Sequence, residues 1–214
     1  GGLGRVLAGV LAETLGVRGA LFLLSIPPLL LGLFLFRTHA PFPKVPSRYD
    51  LRALPLYLLG FERLFLNPFL ANLLPYRLEA LGYSPAQVGL SYLAYFFGLL
   101  GSALSGFLAA RLGYLGALRL SLFGVMLGIL AQLSNPPILG FILMMATLFT
   151  AQSPVAARAG QLGSGVSSTY VAAFYLGETA AGLLYPVFLH HPLLALLLAS
   201  ALAILALFLA SRIP

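Results

Sequence analysis

"GFLAARLGYLGALRL", residues 106–120, rewrites a stretch that the chain has already used, "GVLAETLGVRGALFL", residues 9–23. Nine of the fifteen positions are identical: Gly9/Gly106, Leu11/Leu108, Ala12/Ala109, Leu15/Leu112, Gly16/Gly113, Gly19/Gly116, Ala20/Ala117, Leu21/Leu118 and Leu23/Leu120. In a chain this rich in Leu, Ala and Gly, chance would give about three. Each copy joins one apolar segment to the next. The reading of those segments decides the fold.

A helix needs about 20 apolar residues to cross a hydrocarbon core. Seven stretches have that character: 19–36, 51–75, 85–110, 113–133, 136–157, 164–189 and 192–211. An eighth, residues 1–12, reaches only about 18 Å and reads as the end of a truncated helix. Backbone groups in lipid must be paired within the chain, and the runs are too long and too unalternating for barrel strands. The expected fold class is therefore all-α, a polytopic membrane helix bundle of about seven full transmembrane helices plus a truncated one. Its punctuation is specific. Ser84 and Pro85 mark a sharp helix start, and "SNPP" (134–137) and "HHP" (190–192) mark turns.

Composition agrees. The 214 residues are 60% hydrophobic and 8% charged, with a mean hydropathy of +1.00. A soluble domain carries about 25% charged residues, and this chain has too few to wet its surface. Its net charge of +7 is too dispersed for a phosphate-binding face, so nucleic acid is not an expected partner. With no cysteine, disulfides and thiolate metal sites are excluded. The chain opens "GGLGRVLAG", which is not a signal peptide and reads as a chain joined partway through.

Basic residues orient the bundle. Arg37, Lys44, Arg48, Arg52, Arg111, Arg119, Arg158 and Arg212 fall in one set of loops, and only Arg18 and Arg77 in the other. Eight against two places residues 37–52 and the C-terminus in the cytoplasm. The expected location is the inner membrane of a prokaryotic cell, multi-pass.

The two copies of the opening motif lie three helices apart, hence on opposite sides of the membrane. A three-helix unit repeated with inverted topology is the plan of many secondary transporters. "GFLAARLGYLGALR" (106–119) resembles the cytoplasmic loop pattern Gly-x-Leu-Ala-Asp-Arg-x-Gly of the major facilitator superfamily, with Gly106, Leu108, Ala109, Arg111 and Gly113 fitting and Ala110 standing where the acid would be. "LGYSPAQVG" is similar to that family's entry to its eighth helix, and "GRVLAGVLAETLGVR" looks like the end of a fifth. Arg5 stands where the family's antiporters carry a proline. The resemblance implies twelve helices in two six-helix halves working by alternating access. On it, residues 1–36 are the end of the N-terminal half, 37–52 a cytoplasmic basic linker and 53–214 the C-terminal half. Missing N-terminal helices or a second copy would complete the cavity.

Charges inside a membrane cost at least about 2.5–3.5 kcal/mol each and need a reason. "LLGFERLFLNPF" sets Glu62 and Arg63 mid-segment, with Asn67 one turn beyond Arg63. The functional reading makes this a polar strip along the substrate path; the bland one makes it a bond between helices. Glu178 shares a helical side with Tyr175, and a carboxyl buried there can exchange a proton. Arg63 and Glu178 could form a salt bridge that protonation breaks, or a static bridge between packed helices. Gln152 is a further candidate for the path. Thr147 and Thr150 suit bonds back to their own helix. His190 and His191 have no third ligand at usable spacing, so no metal is expected. No cofactor motif, phosphate-binding loop or nucleophile elbow is present.

These observations point away from an enzyme. They point to a secondary transporter that moves a small-molecule substrate by alternating access, exporting it against protons, with the lipid bilayer as its surroundings. The rivals are uptake by proton symport, a membrane-embedded enzyme using Glu62, Glu178 and the His pair, and a non-transporting half-length protein.

Overall fold

The computed structural model describes residues 2–37 and 50–213, and every element among them is helical. The linker expected over 37–52 lies largely outside the described residues, Lys44 and Arg48 included. The helices are α1 (Gly2–Arg37), α2 (Leu54–Ala80), α3 (Pro85–Ser91), α4 (Ala94–Ala131), α5 (Ile138–Gln161), α6 (Ser164–Leu184) and α7 (Pro192–Ala210). Short 3-10 turns at Leu51–Ala53 and Tyr185–Phe188 precede α2 and follow α6.

Five runs are long and apolar enough to cross a membrane: Gly4–Phe34, Pro85–Ala131, Ile138–Gln161, Ser164–Phe188 and Pro192–Ala210. They mark a membrane-embedded protein, and their exposed Leu and Phe side chains are too many for a surface in water. Five is a count of continuous runs, and two of them are broken at a glycine, Gly16 and Gly113, so it does not overturn the expectation of about seven helices plus a truncated one. The segment at 51–75 does fold as a helix, α2, but Glu62, Arg63 and Asn67 make it less apolar than the rest. The single helix expected over 85–110 is interrupted too, because Tyr92 and Leu93 bond back three residues, to Gly89 and Leu90, instead of four.

The chain divides into two compact units. The smaller comprises Gly1–Lys44 and Glu79–Leu93. In it α1 lies against α3 along an antiparallel seam. Arg5 sits 4.9 Å over the Tyr92 ring, Gly9 meets Gly89 backbone to backbone, and Glu13 Oε2 accepts from the Ala86 amide at 2.9 Å. A Cβ on Gly9 would stand 2.6 Å from the Gly89 Cα, so only glycine permits this approach. Ser84 and Gln87 close a capping box at the start of α3, and Glu13 takes a further amide left open by the first turn.

The larger unit comprises Val45–Leu78 and Ala94–Pro214. Gly113 breaks α4 at φ 70°, ψ 166°, a conformation essentially confined to glycine. The break is a reversal. Gly101, twelve residues before it, packs on Ala146 of α5, and Gly124, eleven after it, packs on Thr147. The two halves of α4 therefore flank the same stretch of α5. Gly128 against Met144 and Gly140 against Ala131 and Gln132 continue the contact to the 132–137 turn. Helix α6 presses Gly177 onto the α2 backbone at Phe61 and lays Tyr170 on Gly60. Helix α7 turns Ala195, Ala199, Ala203, Ala206 and Ala210 inward. In lipid, where apolar burial supplies little drive between helices, such small-residue contacts are what hold a bundle together.

A candidate site on the buried helix α2

Helix α2 has no polar face. Leu56, Tyr57, Leu59, Gly60, Glu62, Arg63, Phe65, Leu66 and Phe69 are all buried, and these positions cover most of the helix circumference, leaving an open stripe along Leu54, Leu58 and Phe61. Tyr95 of α4 and Tyr170 of α6 reach the helix, and Arg63 extends from it to a backbone carbonyl of α5. So Glu62 and Arg63, about 100° apart on the helix, are both enclosed, at 4% and 2% exposure.

Arg63 Nη2 donates to the Leu148 carbonyl of α5 at 3.1 Å. Its Nε and Nη1, and both carboxylate oxygens of Glu62, have no hydrogen-bond partner in the protein. The same is true of the buried hydroxyls of Tyr57, Tyr114 and Tyr170. Glu62, Tyr114 and Tyr170 are near enough to interact with the Arg63 charge. One charged fork, one carboxylate and three phenols thus share an apolar interior with most of their bonding capacity unspent. Each such group costs about 1–3 kcal/mol if it stays unpaired. Buried polar atoms concentrated in this way are characteristic of functional sites.

One turn beyond Arg63, Asn67 is half-buried, and its Oδ1 accepts from the Tyr95 hydroxyl of α4 at 2.6 Å. Phe141 and Phe149 set their rings edge-on to Tyr95 at 6.2 and 6.3 Å. The polar strip along α2 is therefore a row of bonds to α4 and α5.

The expected bridge between Arg63 and Glu178 does not form, and Glu178 is exposed, not buried. The reason is the helix geometry of α6. Gly177 is the residue packed on α2, so its neighbour Glu178 points about 100° away from the core. Tyr175 is likewise 59% exposed. Gln152 is half-buried. Thr147 and Thr150 bond back to Leu143 and Ala146 of their own helix. Of the loop-motif residues, Gly113 makes the reversal, Arg111 stacks 4.5 Å over the Phe107 ring, and Gly106 is exposed with open space beside it. His190 and His191 are both exposed, and among the described residues no three His, Cys, Asp or Glu side chains gather as a metal site.

Sequence reasoning passed over Tyr57, Tyr95, Tyr114 and Tyr170. A signal for one of them was present: Gly60, two residues before Glu62, leaves the gap that the Tyr170 ring fills. No protein-family model and no curated protein matches the chain.

Proposed function

We propose that the chain is part of a secondary active transporter of the major facilitator kind, moving a small molecule by alternating access and exporting it against protons. The observation that carries this reading is the enclosed pair Glu62 and Arg63 on α2, among helices long enough to span a bilayer. A charge retained in such an interior despite its insertion cost marks a transport or proton path by default. The glycine-broken helix used twice supports the same reading, since repeated units are the usual build of these transporters. Within this proposal Glu62, enclosed and lacking a protein partner, replaces Glu178 as the residue that carries the proton, and Arg63 is its counter-charge. Asn67 and Tyr95 belong to the same path.

The experiment is transport by the full-length protein in sealed vesicles under an imposed proton gradient, read with an internal pH dye against a panel of small amphipathic compounds. A compound that dissipates the gradient only when the protein is present identifies coupled transport. Glu62→Gln should then abolish dissipation while Glu178→Gln retains it. The reverse result moves the coupling role to α6, and a flat response across the panel under both gradient polarities removes proton coupling.

A further inference from the structure

The start of the second half of α4, the last turn of α5 and the C-terminal residues after α7 meet around a cleft of about 360 Å³. Among the described residues its lining is Tyr114, Leu115, Ala157, Arg158, Gln161 and Ile213, three polar and three apolar, with no acidic side chain. Arg158 Nη1 donates to Gln161 Oε1 at 3.1 Å, which fixes the guanidinium at the cleft wall, and the Gln161 amide nitrogen keeps two further donors. The Tyr114 hydroxyl is buried with no hydrogen-bond partner in the protein and lies in the field of two cations, Arg63 and Arg158. A phenol whose proton is unspent and that feels two guanidinium charges is a donor for an anion. Arg212, next to Ile213, adds positive charge at the same helix ends.

The geometry points to this cleft as a binding site for the phosphate of an anionic phospholipid, held by Arg158, Gln161 and Tyr114, with the acyl chains running along Leu115, Ala157 and Ile213. The apolar half of the wall selects a lipid over a free oxyanion, because a hydrated anion gains nothing from Leu115 or Ile213. The ends of membrane-length helices are also where headgroups lie, and basic pockets between such ends favour anionic ones. The site does not depend on the chain transporting anything.

The test is native mass spectrometry of the full-length protein released from nanodiscs of mixed phosphatidylglycerol and phosphatidylcholine. Phosphatidylglycerol should be retained in preference. Arg158→Gln should lower its retention about fivefold, the effect of one interfacial arginine, and Tyr114→Phe, which keeps the ring and its packing, should lower it by a similar factor. Arg111→Gln makes the same charge change outside the cleft and should leave retention unaltered. Equal losses in Arg158→Gln and Arg111→Gln would reduce the effect to diffuse surface charge and overturn the site. Equal retention of both lipids would overturn it as well. Displacement of the lipid by millimolar inorganic phosphate would assign the cleft to a solution oxyanion and overturn the lipid.

Discussion

Gly16 and Gly113, 97 residues apart, hold the same backbone conformation: φ 71°, ψ 163° in α1 and φ 70°, ψ 166° in α4. The likeness extends to their surroundings. A Cβ on Gly19 would stand 3.0 Å from the Leu15 side chain, and one on Gly116 would stand 3.1 Å from that of Leu112. The repeated sequence is a repeated helix break.

From this, Gly16→Ala and Gly113→Ala should each destabilise the protein. Neither site has a neighbour within 4 Å, so crowding contributes nothing. The cost is the dihedral alone, of order 1–3 kcal/mol, and it should be similar at the two positions. Thermal unfolding in detergent measures it. A loss at one glycine with none at the other would separate the two copies.

Gly9 and Gly106 are matched in sequence and should behave oppositely. An alanine at Gly9 drives its methyl into the Gly89 backbone, which cannot move aside without opening the seam between α1 and α3. An alanine at Gly106 meets open space and improves helix propensity by up to about 1 kcal/mol. Gly9→Ala should lower the midpoint of thermal unfolding, and Gly106→Ala should hold or raise it. Equal losses would mean that Gly106 also has a packed partner.

What the sequence could carry follows from these positions. The break at residue 113 was legible because it repeats, and a turn conformation is a local property of a few residues. The enclosure of α2 was not. Periodicity describes one helix at a time, whereas Glu62 and Arg63 are both buried only because neighbouring helices cover more than one side of α2. The place of Glu178 was misjudged for the same reason. Its helical neighbour Tyr175 suggested an inner face, but Gly177 set which face of α6 meets α2. The partner of Asn67 needed the register of α4, which starts after an interruption at Tyr92 and Leu93 that no helix signal announced.

Tyr95→Phe removes the hydroxyl that Asn67 Oδ1 accepts at 2.6 Å and leaves the ring among Phe141 and Phe149. The half-buried amide oxygen loses a protein partner, at about 1 kcal/mol. Asn67→Leu in the Tyr95→Phe background should restore most of that, since the two polar groups leave together. A double variant less stable than Tyr95→Phe alone would show that Asn67 bonds elsewhere.

Arg63 and Glu62 give the sharpest contrast. Arg63→Met keeps much of the side-chain volume but leaves Glu62 enclosed without its nearest positive charge. Removing one charge from a buried opposite pair costs about 3–5 kcal/mol, because the remaining charge is uncompensated. Glu62→Gln/Arg63→Met removes both and exchanges them for groups an apolar interior tolerates. Well-packed replacement of a buried pair is often neutral, so the double variant should recover to within about 1 kcal/mol of the parent. Unfolding in mixed micelles of rising denaturing detergent measures all three variants. If the double variant loses the sum of the two single losses, the charges do not interact, and each is held by a separate partner. If it recovers while transport is lost, the pair is kept for the transport cycle at no benefit to the fold.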